Sequence, residues 1–428
     1  MAMIRQCYDP FVASEDGMAT FVRDLFVAMK SECLKGLRIT LCGGGGIAAI
    51  ELPKVARELR RHGAQVRFFV TENCLRFVGR ESLEWASEQP VIVNPSGFAE
   101  HICHDDAVVI MPTTADLIAK IEHGICSDGV TTLVQSALGG NIPVILCPTM
   151  HGSLAASPIV KENRRRLSER EGIFFVAPRV EEGKEKVPPV GDLVTEVAHI
   201  INRARRFHLG KPSRLLVTYG GTRASLDSVR CLTNLSTGKL GHEIVRHAYR
   251  QGLLVTAVEG NVVFPMEPME HMELHRLPEY SDMLSYLERI QSEQFEAVFH
   301  IAAVSDFVPE AKAAEKISSD TDLLTLNLCR SKKFLELPNL RKIPFQLACK
   351  LTDGSEAVGL QTAREFAQKN QLNALLWNHA SALHGEEHKG VVLTSVDGEV
   401  QEIAVQSKSE IARCLLELFI KNRKNHGQ

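Results

Sequence analysis

The stretch TNLSTGKLG at 233–241 combines residue types that commonly bind phosphate. Its Gly-Lys pair stands where a helix is expected to begin, so backbone N–H groups and a lysine can face the same anion. It is not a Walker A loop, because that motif requires Gly at the position of Thr233 and Ser or Thr at the position of Leu240. The residues alone indicate a phosphate site of another kind, and they leave open which phosphate lies beside Asn234.

A second glycine-rich turn, GGGG at 43–46, follows a predicted buried strand and precedes a helix. Such a turn lets N–H groups converge on an anion at a helix N-terminus, although the same glycines could simply relieve strain in a tight turn. Thr113, Thr114 and Asp128 favour a binding site. They lie where strands are expected to end, and parallel sheets bind ligands at the carboxyl ends of their strands.

The elements that position these residues are apolar strands alternating with amphipathic helices. In the first half the strands are expected at 37–42, 65–70, 106–111 and 143–148, and in the second half within the stretches 214–222, 253–260 and 296–306. Nearly continuous apolar strands in this alternation are typical of a parallel sheet covered on both faces. We therefore predict an α/β protein with two tandem, doubly wound, three-layer domains, the first flavodoxin-like and the second Rossmann-like. Neither opening turn has the spacing GxGxxG, so the nicotinamide dinucleotide fingerprint is absent.

Composition shifts suggest where the domains begin and end. Residues 1–36 are expected to be an N-terminal extension with a surface helix over 21–30, and residues 37–205 the first domain. A basic segment rich in Gly and Pro predicts a linker at 206–212. The second domain then covers 213–428, with a hairpin turning at Asp397-Gly398 and a final helix from about residue 407 to 421.

Bulk composition excludes several classes of protein. A hydrophobic fraction of 44%, a charged fraction of 24% and a net charge of −3 are ordinary for a globular enzyme and favour neither nucleic acid nor an anionic membrane. No apolar run reaches the length of a membrane span, and the N-terminus lacks a signal-peptide core. The 11 cysteines include no CxxC pair, which favours reduced thiols in the cytoplasm. We predict no dedicated metal site and expect a homo-oligomer of unspecified subunit number.

The first half resembles the flavin mononucleotide-dependent cysteine decarboxylases of coenzyme A biosynthesis. The matching pieces are GGIAA (45–49), VTEN (70–73), the stretch 112–132 and PTM (148–150). The resemblance implies that FMN is bound by a set of residues around the carboxyl ends of the strands: Gly44, Gly45, Thr71, Thr113, Thr114 and Asp128. It also implies that His101 stands in for the catalytic histidine of the family, after a short deletion.

This half departs from the family where the chemistry is most demanding. His151 stands where the family has Asn, and residues 176–190 contain no Cys where the family has one. Gly44 replaces the phosphate-binding Ser. Decarboxylation needs an oriented carboxylate and a proton donor within hydrogen-bond reach. We therefore expect the fold to be kept and decarboxylase activity to be doubtful.

The second half resembles phosphopantothenate–cysteine ligase more closely. The matching pieces are 217–241, HIAAVSDF (300–307), EKIS (315–318) and, more weakly, 373–381. The resemblance implies that Asn234 binds an acyl nucleotidylate, an electrostatic role of the oxyanion-hole kind, and that Arg230 faces the acyl-phosphate junction. It implies that the nucleotide is contacted by residues spread over the domain: Gly220, Gly221, Ala302, Asp306, Lys316, Lys333, Leu347 and Lys369.

The resemblance further implies the substrates 4′-phosphopantothenate, L-cysteine and a nucleoside triphosphate, with Mg²⁺ near Asp306. Departures at 347–353, around Lys369 and at 329–335 surround the expected base and ribose, so the choice between CTP and ATP stays open. A rival hypothesis from another class is a non-catalytic flavoprotein that serves as a scaffold or regulator. The matches at Asn234, Asp306 and Lys316 favour the ligase.

Overall fold

The structure is a computed structural model that describes residues 11–13, 19–21, 26–207, 213–318, 322–383, 390–396 and 399–426. The chain divides into two compact units, Met1–Val190 and Gly191–Gln428. Each unit is built on its own mainly parallel sheet. The predicted fold class, two doubly wound α/β domains in tandem, is confirmed.

The first unit contains a parallel sheet whose strands are buried on both faces. In order along the sheet, β2-β1-β3-β4-β5, its strands are Gln65–Val70 (β2), Arg38–Gly43 (β1), Ala107–Thr113 (β3), Val144–Pro148 (β4) and Ile173–Phe175 (β5). Its helices are Leu52–Arg61 (α1), Arg80–Ser87 (α2), Ala115–Glu122 (α3), Gly129–Gly139 (α4), Gly152–Ala155 (α5) and Pro158–Ser168 (α6). This is the flavodoxin order, in which ligands bind where the order reverses, between β1 and β3.

The second unit has a larger sheet with the order β8-β7-β6-β9-β10-β11-β12-β13. Its strands are Arg214–Tyr219 (β6), Leu254–Glu259 (β7), Met272–Arg276 (β8), Ala297–His300 (β9), Phe345–Thr352 (β10), Ala374–His379 (β11), Gly390–Val396 (β12) and Glu399–Val405 (β13). Strands β6 to β11 are parallel in the Rossmann order, which reverses between β6 and β9. The last two strands pair antiparallel as predicted, although the turn residues Asp397 and Gly398 lie outside the described residues.

Helices cover both faces of the second sheet. They are Val190–Phe207 (α7), Lys239–Arg250 (α8), Tyr280–Arg289 (α9), Glu356–Lys369 (α10) and Lys408–His426 (α11). Val217 and Tyr219 share one buried cluster with α8 and α11, whereas Leu216 and Val298 share another with α9, which is the alternation expected along strands. None of the described helices is both long and apolar enough to cross a membrane.

The segment before the first sheet differs from its prediction. Residues 26–30 are not helical, and Phe11–Ala13 pairs antiparallel with Ala19–Phe21; residues 22–25 lie outside the described part. The Lys30 amide donates to the carbonyl of Arg61 at 2.8 Å. The segment thus caps carbonyl groups that the end of α1 leaves unpaired, and this tertiary contact replaces the expected helix.

Helix α7 packs on the second unit. The Tyr249 hydroxyl donates to Glu196 at 2.6 Å, and the Asn202 amide donates to the carbonyl of Arg250 at 2.7 Å. The ring of His199 stacks on the ring of Tyr249 with centroids 3.9 Å apart. The structural division at 190/191 therefore lies at the start of α7, whereas the sequence predicted a boundary near the end of this helix, at residue 205.

A buried histidine between α7 and α8, His199, makes the stability of the second unit depend on pH. His199 is fully buried, and burial lowers its pKa to about 4. The unfolded chain, with an ordinary histidine pKa of about 6.5, binds more protons between these two values. The contribution of neutral His199 to the free energy of unfolding is therefore complete above about pH 6.5 and is lost as the pH falls towards 4. We expect His199→Gln, which can still donate to Tyr249 but cannot titrate, to weaken this decline by at most about 1.4 kcal/mol per pH unit.

The measurement is urea unfolding at several pH values, followed by the fluorescence of Trp377 in a Trp85→Phe background, since the chain has two tryptophans. His247, whose pKa burial also lowers to about 4, leaves a residual decline in the variant. The control is His123→Gln, an exposed residue of the first unit. An unchanged slope in His199→Gln would contradict the prediction.

Candidate functional site

The first glycine turn lies at the switch point of the first sheet. A Cβ atom at Gly44 would overlap the carbonyl oxygen of Pro112 and lie 2.7 Å from the Leu117 side chain. A Cβ at Gly45 would lie 2.6 Å from the Cβ of Asn73. Both glycines are therefore required by the close approach of neighbouring backbone, and this approach forms a concave turn beside the end of β3.

Two of the predicted flavin residues meet this turn at the carboxyl edge of the sheet. The Thr71 amide donates to the carbonyl of Gly43 at 3.0 Å, and the Thr114 hydroxyl caps the start of α3. Asp128 caps α4 by accepting from the Thr131 amide at 2.9 Å, with its side chain partly exposed. These caps satisfy helix ends whether or not a ligand is bound.

Thr113 does not face the turn as expected, and no hydrogen bond between described residues ties His101 to it. Thr113 is fully buried; its hydroxyl donates to the carbonyl of Ile110 at 2.7 Å and accepts from the Cys147 amide at 3.0 Å, so it joins β3 to β4. The chain after His101 runs to the amino edge of the sheet, where the Asp106 amide bonds to the carbonyl of Arg38. Among the hydrogen bonds between described residues, none links His101 to Gly44, Thr71 or Thr114.

In the second unit the turn after β6 is bonded on both sides. The Gly221 amide donates to the carbonyl of Asn261 at 2.8 Å, and Asn261 returns a bond at 2.6 Å. On the other side, the Ala303 amide donates to the carbonyl of Gly220 at 2.8 Å. The Gly221 N–H is thus not free for a phosphate in this structure. At the start of α8, after Gly238, the Lys239 amide donates to the Thr237 hydroxyl at 3.4 Å, and the amides of Leu240 and Gly241 have no side-chain partner among the bonds between described residues.

Asn234 lies at the switch point of this sheet, between β6 and β9. It follows a ribbon in which Arg223–Ser225 pairs antiparallel with Cys231–Thr233. Its exposed side-chain amide donates to the carbonyls of Ala303 and Val304 at 3.3 and 3.1 Å. The side chain therefore spans the gap between the ribbon and the loop after β9, which also carries Ala302.

Asp306 and Lys333, both predicted to contact the nucleotide, form an ion pair with each other. The Ser331 amide also donates to the Asp306 carbonyl at 3.0 Å, which brings the segment bearing Lys333 next to the loop after β9. A carboxylate and an ammonium group are thus held together at the carboxyl edge. Among the described residues no group of three or more His, Cys, Asp or Glu side chains could hold a metal ion.

Asp227 is a buried site residue that the sequence did not reveal. Its carboxylate accepts from the Arg230 amide at 2.6 Å, the Val229 amide at 2.7 Å and the Ile317 amide at 3.1 Å. These backbone N–H groups, that of Arg230 foremost, lower the pKa of Asp227 to about 2. Lys316 precedes Ile317 and is exposed. The only signal in the sequence was an Asp three residues before Arg230, a spacing that is common in turns.

Two predicted nucleotide residues lie elsewhere. Leu347 is fully buried in the middle of β10, in the cluster that packs against α8 and α11. Lys369 ends α10, which returns the chain to the amino edge, where the Asn373 amide bonds to the carbonyl of Gln346. A helix of 14 residues is about 21 Å long, so Lys369 is far from the carboxyl edge. Near that edge the structure has Lys350 instead, with Nζ 5.3 Å from the Phe366 ring centroid.

Two family models match the chain, one for each half. The model described as Flavoprotein matches residues 27–202, and the model described as DNA/pantothenate metabolism flavoprotein C-terminal domain matches residues 211–422. A coenzyme A biosynthesis bifunctional protein CoaBC from Thermococcus kodakarensis is 34% identical over 403 residues, covering 91% of this chain and 96% of the relative. The chain belongs to this family of bifunctional coenzyme A biosynthesis proteins.

Further relatives have the same description. The CoaBC protein of Methanocaldococcus jannaschii is 31% identical over 405 residues, covering 92% of this chain and 96% of its own. A solved structure, the DNA/pantothenate metabolism flavoprotein from Streptococcus pneumoniae, covers 50% of this chain and 100% of its own at 25% identity, with a TM-score of 0.44.

Family membership assigns the function at the level of the two halves. The chain acts in coenzyme A biosynthesis, and its second unit is a phosphopantothenate–cysteine ligase. Its first unit is a flavoprotein domain. The rival hypothesis, a non-catalytic scaffold or regulator, has no support among these comparisons.

Proposed function

We propose that the second unit activates 4′-phosphopantothenate with CTP or ATP, releases pyrophosphate, and then joins the acyl nucleotidylate to L-cysteine. Activation is required because a carboxylate oxygen is a poor leaving group until a nucleotide is attached to it. One hairpin, 223–233, supports the assignment: Asn234 lies at its end, and its tip holds the segment of Lys316. Residues for the two half-reactions are thus attached to a single rigid element.

The roles follow from charge and hydrogen-bonding capacity. Lys316 and Lys333 supply positive charge for the triphosphate, and Asp306 is available to a nucleotide or to Mg²⁺ once Lys333 has moved to a phosphate. The free N–H groups at the start of α8 suit a phosphate oxygen. The Asn234 amide now donates to two carbonyls, and it can release one of these bonds to donate to the acyl intermediate.

We also propose that the first unit binds FMN at the turn after β1. The glycines at 44 and 45 leave a cradle that side chains would fill, and the helical turn that follows has no side-chain cap on its N–H groups. Gly44, Gly45, Thr71 and Thr114 are the residues best placed to hold the flavin and its phosphate. When bound, FMN would supply oxidation of the substrate thiol. A cytoplasmic location and a homo-oligomeric assembly stay predictions from the sequence.

Support for a complete decarboxylase site is weaker. His151, which stands where the family has Asn, caps α5 by accepting from the Ser153 amide at 3.2 Å and is exposed. It pairs in register with Lys184, in a ribbon of charged residues that contains no thiol. A proton donor with suitable reach is therefore absent from the described part of this segment.

The first prediction for this site is that Asn234→Ala keeps its fold and loses the cysteine-dependent half-reaction. Asn234 is exposed, so the substitution leaves the core intact. Removal of one donor of the oxyanion-hole kind lowers the rate by on the order of 10²–10³. The measurement is single-turnover formation of 4′-phosphopantothenoylcysteine. Leu235→Ala, at a fully exposed neighbour, is the control and should react normally; normal turnover in Asn234→Ala would refute the role.

The second prediction is that Lys316→Ala raises the KM for the nucleotide and slows pyrophosphate release. The lysine supplies charge opposite a triphosphate, and charge-assisted bonds are about twice as strong as neutral ones. Pyrophosphate release is measured against the concentration of CTP or ATP. Lys312→Ala, an exposed lysine of the same segment, serves as the control. A curve for Lys316→Ala that overlays the wild-type curve would make Lys316 an ordinary surface lysine.

The third prediction is that the purified protein makes 4′-phosphopantothenoylcysteine and releases little or no CO2 from it. The physical reason is the missing proton donor beside His151. The assay supplies phosphopantothenate, cysteine and either CTP or ATP, and mass spectrometry separates ligation alone from ligation followed by loss of CO2. Stoichiometric CO2 and 4′-phosphopantetheine would show that the first unit has an intact, divergent active site. Failure to form either product would contradict the proposed ligase chemistry.

A further inference from the structure

The tip of the 223–233 hairpin grips a distant segment of the chain. The Ala313 amide donates to the carbonyl of Leu226 at 2.9 Å, and the Ile317 amide donates to the Asp227 carboxylate at 3.1 Å. Arg230 Nη1 donates to the carbonyl of Ile317 at 3.0 Å. We call these contacts, between 226–230 and 313–317, the Asp227 clamp. They join parts of the chain that are about 90 residues apart.

Both oxygens of the carboxylate at the centre of the clamp accept hydrogen bonds from the protein. Asp227 is 2% exposed and accepts from three backbone amides and from Arg230 Nη1 at 2.9 Å. A buried carboxylate with this many donors stays ionised, and these bonds depress its pKa. The side chain of Arg230 is turned towards Asp227 and Ile317, and its Nη1 donates to both of them.

The clamp fixes the backbone beside Lys316. Both the N–H and the C=O of Ile317 are bonded to it, so the direction of the chain at this residue is set. Lys316 itself is exposed and makes no ion pair among those found between described residues. Because the same hairpin ends at Asn234, the clamp also fixes the distance from the base of the lysine side chain to the switch point.

We propose that Asp227 is a positioning residue for Lys316, and that Arg230 Nη1 helps it to hold the Ile317 segment. The proposal rests on the proposed role of Lys316 at the nucleotide. Asp227 touches no substrate; it holds the lysine where a triphosphate can reach it. Its loss therefore acts on the nucleotide step through Lys316 and leaves the cysteine-dependent step intact.

The test is a double-mutant cycle in the full chain, with pyrophosphate release measured against nucleotide concentration. Asp227→Asn should raise the nucleotide KM by roughly tenfold, the usual order for removing a hydrogen bond to a charged group. In the Lys316→Ala background the same substitution should add less than about a factor of two, because independent sites add and coupled ones do not. The control is Asn339→Ala, which removes two partly buried side-chain hydrogen bonds to the carbonyls of Leu287 and Ile290 and should leave the KM unchanged.

Amide hydrogen exchange gives a readout that does not depend on the chemistry. The Ile317 amide should exchange faster in Asp227→Asn than in the wild type, and its exchange rate in Asn339→Ala should equal that of the wild type. Equal protection in Asp227→Asn overturns the clamp. If Lys316→Ala behaves as wild type while Ile317 still loses protection in Asp227→Asn, the clamp stands as a contact, but the proposed function of Lys316 fails and the positioning role fails with it.

A second variant keeps the test decisive if Asp227→Asn does not fold. Arg230 is 38% exposed, so Arg230→Met should fold normally. A positioning role predicts a raised nucleotide KM that vanishes as an extra effect in the Lys316→Ala background. A KM effect of Arg230→Met that persists in full in that background would overturn the proposal.

Discussion

The second unit depends on how tightly the turn after β6 is bonded to the loops on either side. Gly220 and Gly221 exchange backbone hydrogen bonds with Asn261 and Ala303 at the same time. A Cβ at Gly221 would lie 2.8 Å from the carbonyl oxygen of Asn234. No side chain can enter, so the spacing of three loops is set by backbone atoms alone. This spacing sets the position of the ribbon that starts from the turn. It therefore also sets the positions of Asn234 and of the Asp227 clamp.

The two units use similar glycine turns for different purposes. In the first, the glycines at 44 and 45 allow neighbouring strands to approach and leave an open concave turn at the head of a helix. In the second, the turn is hydrogen-bonded to the neighbouring loops, including through the Gly221 N–H. The N–H groups without a side-chain cap lie later in the chain, at the start of α8. A glycine-rich turn after the first strand therefore shows where a site lies, but not which of its atoms face the ligand.

Strand and helix periodicity was enough to predict the architecture, because the central strands of both sheets are buried on both faces. The resemblance, rather than the periodicity, grouped Asn234, Asp306 and Lys333, and the structure brings all three to the loops after β6 and β9. The predicted nucleotide contact of Leu347 is not supported, because β10 continues to Thr352 and leaves residue 347 in the middle of the strand. The predicted nucleotide contact of Lys369 is not supported either, because this residue ends the crossover helix α10 at the amino edge of the sheet. Asp227 was missed because its partner Ile317 is remote in sequence, and such contacts leave no local pattern.

Under the proposed function, the ion pair between Asp306 and Lys333 would link the binding of cation and nucleotide. A divalent ion that bound Asp306 alone would strand the lysine as an unpaired charge beside a second positive charge, which is unfavourable at this short range. A triphosphate offers the lysine a new partner and releases the carboxylate for the metal. Each ligand would therefore raise the affinity for the other, and by thermodynamic reciprocity the two enhancements would be equal. By the same argument, the ion pair would disfavour binding of a divalent ion before the nucleotide.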